Sequence, residues 1–362
     1  MRKTSKRLYL IPVLSKALDI LELLQVDNEP MTLESIHRAT KISKTTVYRV
    51  LKTFVHRGYL SQSPDGLYRH ASRSRKIRFG FGCQSVDMPF SEEVTKSLRE
   101  AVASVGVDLL VLDNQYDSAT AVRNAEEFIR SRVDLIIEFQ VEQDVAPIIG
   151  DKIAAAKIPL IAVDIPHPHA TYFGVDNFRV GVEAGDVLAA FAVRTWKRKV
   201  DWVIGLDLPE AGQVVQSRIT GAFEAIRNQL DLPAESFVRL DGRGMREHSR
   251  KLIADFLRRH LEDRHILIAA ATDTSALGAV DAVRESKREK HVAIVGQDCI
   301  EEALAEMRKK QTSLIASVSH EAGSYGPHLV QLGLSLLRGQ TVPPYNYVGH
   351  RMVDRSSLTS AL

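Results

Sequence analysis

From Ile77 onward the chain alternates short apolar runs with helical stretches, a pattern that restricts this part to parallel sheets wrapped by helices. The strand candidates are Ile77–Gly82, Val107–Leu112, Leu135–Phe139 and Leu160–Val163. A second series follows at Val200–Leu206, Phe237–Leu240, Ile266–Ala271 and Val292–Gly296. Between them, Ser91–Ser104, Val214–Leu230 and Ser275–Arg284 carry the helical period. There are enough strands for two doubly wound sheets, with a break expected near Phe173-Gly174-Val175-Asp176-Asn177.

The first 76 or so residues follow a different rule. Up to Arg78 there are 16 Lys and Arg against 6 Asp and Glu, and 32 against 39 thereafter, so the formal charge of +3 conceals a basic head on a mildly acidic body. Such asymmetry suits a module that meets a polyanion. In the head, Leu14, Ala17, Leu18, Leu21 and Leu24 recur at helical spacing over about Pro12 to Gln25. Thr32 is placed to cap a short second helix, and Ser43 to cap a third that runs to about Arg57 and buries Val47, Val50, Leu51 and Phe54. The other face of that third helix presents Lys44, Thr45, Tyr48, Arg49 and Lys52, and no acid occurs between Glu34 and Asp65. Gly58–Gln62 and Leu67–Arg69, joined by Ser63-Pro64-Asp65-Gly66, form a hairpin pattern. Three helices and a hairpin make a winged helix-turn-helix, expected over residues 1–70. The basic, Ser-rich stretch at 71–76 is expected to act as a linker.

Several classes are disfavoured. The two cysteines, Cys83 and Cys299, have no Cys or His at ligand spacing and are expected to be buried, reduced thiols. The apolar run after Arg2, Lys3, Lys6 and Arg7 is short and interrupted by Pro12, so export is not expected and the chain is assigned to the bacterial cytoplasm. No run reaches the roughly 18 apolar residues of a membrane span. Strands are not followed by Gly-x-Gly-x-x-Gly or Walker loops, and there is no Gly-x-Ser-x-Gly or His-Glu-x-x-His, so neither a cofactor nor an enzyme is expected. His167-Pro-His169 lacks a third ligand, is assigned to a polar surface turn, and no metal site is expected.

What the body does carry is a polar or aromatic residue near the C-terminal end of almost every strand, where open α/β sheets bind ligands. The set is Asp87, Phe90, Glu142, Asp164, Asp176, Thr272, Asp273 and Asp298, joined by Arg218 on a helix and His320 after a strand. Carboxylates accept hydroxyl hydrogens, a guanidinium donates a fork and Phe offers a flat apolar face, a mix that suits a polyhydroxylated ring. Taken singly, strand-end acids also act as helix caps and turn formers, and Asp164, Asp176 and Asp273 fit that role.

The stretch LSKALDILELL…MTLESIHRATKISKTTVYRVLKTFVHRGYLSQSPDGLYRH resembles the DNA-binding domain of the IclR family of bacterial regulators. By that resemblance Ser43, Lys44, Thr45, Thr46, Tyr48 and Arg49 face DNA, with Arg69 on the wing. The body resembles the periplasmic-binding-protein-like sensor domain of the lactose/galactose repressor class and ribose-binding proteins, through MPFSEEVTKSLREA, IPLIAVDIP, FGVDNFRVG, SRITGAFEAI, TDTSALGAVDAV, VAIVGQDC and IASVSHEAGSYG. This resemblance implies a type I, two-lobed sensor over 77–350, with lobe 1 at about 77–176 and 321–345, lobe 2 at about 177–320, and a tail at 351–362. It implies ligand contacts by Phe90, Glu142, Arg218, Thr272, Asp298 and His320, and the strand-end position of Asp87 adds that residue to the expected ligand site. Two departures stand out: Ile165 replaces an arginine that often follows Asp164, and Ser91 replaces a second aromatic. The expectation is a regulator that binds operator DNA as a homodimer and responds to a small effector, with a monosaccharide as the leading candidate. The competing readings are a solute-binding component of an uptake system and a sugar or nucleoside enzyme.

Overall fold

The computed structural model describes residues 11–26, 29–70 and 76–359. The first ten residues and 71–75, where the N-terminal cations and most of the linker fall, lie outside the described residues. The chain forms two compact units, Met1–Lys76 and Ile77–Leu362.

In the small unit, α1 (Pro12–Val26), α2 (Leu33–Thr40) and α3 (Lys44–His56) precede a hairpin of β1 (Leu60–Gln62) and β2 (Tyr68–His70). Thr32 caps α2 by accepting from the amide of Ser35. Lys41, in the left-handed region at φ 57°, ends α2 and turns the chain into α3. The core is Ile20, Leu24, Ile36, Ile42, Val47, Leu51, Leu60 and Tyr68. Met31 pairs with Tyr68, which fastens the wing to the helices.

The large unit has two six-stranded sheets. Its first half contains β3 (Arg78–Cys83), α4 (Pro89–Val105), β4 (Asp108–Asp113), α5 (Ser118–Arg130), β5 (Leu135–Glu138), α6 (Ala146–Ala155), β6 (Leu160–Val163) and β7 (Thr171–Gly174). Its second half contains α7 (Asn177–Trp196), β8 (Trp202–Asp207), α8 (Gly212–Gln229), β9 (Phe237–Asp241), α9 (Arg246–Arg259), β10 (Ile266–Ala270), α10 (Asp273–Glu285), β11 (Val292–Gln297), α11 (Glu301–Met307) and β12 (Leu314–Ser319). The chain then crosses back through α12 (Ala322–Leu337) and β13 (Tyr345–Tyr347) to lobe 1, and ends in lobe 2 with β14 (Arg351–Asp354) and α13 (Arg355–Thr359).

Lobe 1 has the order β13-β7-β6-β5-β3-β4 and is parallel throughout. Lobe 2 has the order β14-β12-β11-β10-β8-β9, parallel except where β14 runs antiparallel to β12. The segment expected as a tail therefore supplies an edge strand: Val353 is buried and pairs with Ser317. Strands β7, β13 and β14 escaped the sequence pattern because they are short, mostly edge-lying and poor in consecutive apolar residues. The chain passes between lobes after β7, after β12 and after β13, so three strands of chain form the hinge.

His167 is buried, contrary to the expected surface turn, because its Nδ1 pairs with the Ile165 carbonyl at 2.8 Å and the ring packs inside lobe 1. Cys83 is buried and Cys299 half-buried, both as free thiols.

Glu138, at the end of β5, is completely buried. Asn114 donates to its Oε1 at 2.8 Å, while Oε2 has no partner. Gly82 makes room, since a Cβ there would lie 2.8 Å from a carboxyl oxygen. Loss of hydration pushes this acid up to about 8 from an ordinary 4.5. The folded state thus holds the proton more tightly than the unfolded chain, and stability falls as pH rises from about 4.5 to 8. Glu138→Gln is expected to leave stability nearly unchanged at pH 4 and to raise it above the parent at pH 9, by roughly 2–4 kcal/mol. Urea unfolding across this range checks it; identical pH slopes in parent and variant would show that Glu138 ionises without cost.

Candidate functional site

In the small unit, α3 is entered through Ser43, whose Oγ accepts from the Thr46 amide and pairs with the Thr46 hydroxyl at 2.9 Å. These two predicted DNA-facing residues therefore use their side chains to start the helix. Lys44 is exposed but its Nζ lies 2.7 Å from Glu34 on α2, an acid just outside the acid-free stretch in sequence and beside it in space. Thr45, Tyr48 and Arg49 are exposed on one face of α3. Lys52 Nζ lies 5.8 Å from the Tyr48 ring centroid and donates to Gln62 of the wing at 3.2 Å. Arg69 is exposed on β2, opposite Ser61, in a groove with Pro30, Gln62 and Asp65. The result is a hydroxyl, aromatic and cationic surface flanked by a wing that presents Arg69.

In the large unit, the first strand of each sheet has neighbours that leave in opposite directions: β3 between β4 and β5, and β8 between β9 and β10. These are the switch points at which α/β sheets open a crevice. One cavity joins them, lined from lobe 1 by Gln84, Phe90, Tyr116, Phe139 and Asp164 and from lobe 2 by Leu208, Arg218, Thr272, Thr274 and Asp298. The lobes meet across it, the Tyr116 hydroxyl donating to the Arg243 carbonyl at 3.3 Å.

Arg218 is buried on α8. Its Nε donates to Asn177 Oδ1 at 2.6 Å and its Nη1 to the Ala271 carbonyl at 2.9 Å, so the guanidinium plane is held from two sides. Phe90 is held edge-on by Phe139, His320 and Tyr325, with centroids 6.3, 5.9 and 5.7 Å away. Thr272 caps α10, accepting from the Ser275 amide, while also lining the cavity.

Asp298 follows β11 at φ 108°, a backbone region L-residues rarely adopt. Asp273, fully buried below it, holds that loop: its Oδ2 accepts from the Ile300 amide at 3.0 Å and its Oδ1 from the Ser317 hydroxyl at 2.7 Å. Burial pushes Asp298 well above the usual carboxylate range, and the neighbouring Asp273 pushes it further. His320 is fully buried beside it, Nδ1 at 3.4 Å from Asp298 Oδ1 and Nε2 at 2.9 Å from Gln297 Oε1. Burial holds His320 well below its ordinary value, so the ring is neutral.

The structure thus gathers Phe90, Arg218, Thr272 and Asp298 around the cavity and sets His320 directly beneath it. Glu142 lies instead at the outer mouth with Tyr116, Glu210 and Arg243, bonded by the Ser118 hydroxyl. Asp87 is exposed on the turn before α4 and does not line the cavity, because the Ser85 hydroxyl, by taking its amide, shapes a turn that points the side chain outward. Asp176 caps α7 by accepting from the Arg179 amide at 3.1 Å. Sequence reasoning did not single out Tyr116, Asn177, Thr274 or Gln84, which carry no pattern of their own. Among the described residues no group of three or more His, Cys, Asp or Glu is arranged to hold a metal, and no helix is long and apolar enough to cross a membrane.

Comparison with known proteins agrees with this two-part construction. A periplasmic binding protein domain matches residues 79–341, and the chain belongs to that family. An IclR helix-turn-helix domain matches residues 13–64. The ribose import binding protein of Bacillus subtilis (strain 168) is 20% identical over 276 residues, covering 75% of this chain and 86% of that protein. A solute-binding protein of Actinobacillus succinogenes 130z, solved with bound D-allose, superposes with a TM-score of 0.67 at 19% identity, over 79% of this chain and all of that one. The Caulobacter myo-inositol binding protein, solved with myo-inositol, gives 0.67 at 18% identity, over 80% and 96% of the two chains.

Arg218 depends on close approach of α7 and α8. A Cβ on Gly181 would lie 2.0 Å from the Arg218 carbonyl oxygen, and one on Gly185 2.4 Å from that of Ala222. Gly181→Ala is expected to force the helices apart, lowering stability by about 1–3 kcal/mol. Thermal unfolding checks this; an unchanged midpoint would show that the helices do not need this contact.

Proposed function

We propose that the chain is a bacterial transcription regulator that works in the cytoplasm and performs no catalysis. Its winged helix binds operator DNA, and its cleft binds a small polyhydroxylated effector, a monosaccharide or polyol, that alters that binding. The observation that carries this reading is the cavity that spans the switch points of both sheets, walled by Phe90 and forked by Arg218, in a chain that also bears a winged helix-turn-helix. The sugar and inositol ligands of the fold's relatives support the effector class.

In this reading, α3 enters the major groove through Thr45, Tyr48 and Arg49, with Ser43 and Thr46 setting its first turn, Lys44 reaching a phosphate once it leaves Glu34, and Arg69 on the flanking backbone. A homodimer pairs two such helices on an operator of matching two-fold symmetry. Phe90 stacks on the ring, while Arg218, Asp298 and Thr272 meet its hydroxyls and His320 supports Asp298 from below. Glu142 and Asp87 take outer positions, at the mouth and beyond it. Closure of the lobes around the hinge transmits binding to DNA affinity, up to the ligand's preference for the closed form.

With D-ribose, D-allose and myo-inositol as probes, an effector at 100 times its dissociation constant stabilises the chain by about 2.7 kcal/mol. Arg218→Ala is expected to abolish that shift and to leave duplex-DNA affinity intact; a retained shift would remove Arg218 from the site. Arg49→Ala is expected to weaken duplex binding and to lower the slope of affinity against salt by about one. Lys44→Ala is expected to have the smaller effect, since Glu34 already engages its charge. Fluorescence anisotropy over a salt series checks both, and a larger loss from Lys44→Ala would reverse the assignment.

A further inference from the structure

The cleft holds more carboxyl groups than cations, and this narrows the effector class; the inference rests on the cleft being the effector site. Two carboxylates, Asp164 and Asp298, line the cavity against one guanidinium, Arg218. That guanidinium does not pair with either of them, because its bonds go to Asn177 and to the Ala271 carbonyl. Next to Asp164 stands Ile165, which brings no charge. Asp164 is buried and its Oδ1 has no hydrogen-bond partner. His320 Nδ1, facing Asp298, is likewise without one.

The mouth repeats the imbalance. Glu142 and Glu210 line it with Arg243, which is shared between Glu210 at 3.9 Å and Asp241 at 3.5 Å. Tyr116, between the mouth and the cavity, feels four acids: burial and then Glu210, Asp298, Asp241 and Glu142 push its hydroxyl up to about 12. Burial also pushes Asp164 up to about 6, only partly offset by Arg218. A buried acid such as Asp164, with an oxygen that meets no donor, is costly, and a neutral hydroxyl offsets less of that cost than a cation does. A negatively lined cleft also concentrates cationic ligands at its entrance.

We propose that the effector carries a protonated amine. It is an amino sugar or amino polyol, with its ammonium placed at Asp164 and Asp298, its hydroxyls toward Arg218, Thr272 and Thr274, and its apolar face on Phe90. Asp164 is then the residue that selects for the amine. No bond is made or broken.

The test is isothermal titration of the full chain with D-glucosamine, D-galactosamine and D-mannosamine. Each is compared with its parent hexose and with its N-acetyl form, which keeps the substituent and removes the charge. D-allose and myo-inositol serve as further neutral ligands. One amino sugar is expected to bind at least about tenfold more tightly than both its neutral counterparts. Asp164→Asn is expected to bring that ratio to within about threefold while the thermal midpoint is kept. A neutral sugar or polyol that binds more tightly than every amino sugar overturns the amine and leaves the effector site standing. If no compound of either class binds, the effector-site reading fails, and the amine with it.

Discussion

The seating of Arg218 depends on how closely α7 and α8 approach. A guanidinium keeps its charge at any working pH, so its burial is tolerable only where acceptors hold it in place. Here Asn177, at the start of α7, and the carbonyl of Ala271, at the end of β10, take two of its donors. Asn177 reaches it because Gly181 and Gly185 let α7 lie against the backbone of α8. Asn177 also opens the helix that receives the chain as it leaves lobe 1, so the residue that orients the charge sits at the hinge.

Around this fixed cation the carboxylates are arranged in layers. Asp273 is below the cavity and spends one oxygen on the loop that carries Asp298, at the Ile300 amide, and the other on Ser317 of the adjoining β12. That loop adopts a backbone conformation unfavourable for aspartate, held by hydrogen bonds from the Asp298 amide to Val318 and from the Cys299 amide to Ser317. Strain kept in place by surrounding bonds is a means of pre-organising a ligand contact, because the cost is met in folding rather than at binding. Asp164 lacks such bonds, and it is the group in the cavity with most to gain from a donor brought by a ligand.

The winged helix follows a related economy at smaller scale. Ser43 and Thr46 satisfy the open end of α3, Glu34 holds Lys44 beside it, and Lys52 ties the helix to the wing through Gln62. What remains free of side-chain partners on the presented face is Thr45 and Arg49, with Tyr48 lying under Lys52. A surface in which some cations are already positioned and others are free is suited to recognising a backbone and base edges together.

Much of this architecture was legible in the residues alone. The alternation of apolar runs and helices announced two parallel sheets, and Leu160–Val163 was located to the residue. Thr32, Ser43 and the Pro-Asp-Gly turn marked the small unit, because caps and turns are local chemistry that a few neighbouring residues decide. Strand-end position likewise pointed to Phe90, Thr272 and Asp298. The sequence could not reveal which strand-end polar groups face inward. Asp87 and Asp298 look alike in sequence, yet one is exposed on a turn and the other is half-buried beside His320 and lines the cavity. Nor could it show that 351–354 returns to lobe 2 as an edge strand, or that Asn177 meets Arg218 from 41 residues away. Local bonding within a few residues determines elements, whereas burial, hydrogen-bond partners and charge balance depend on which distant elements meet, and only the tertiary structure decides that.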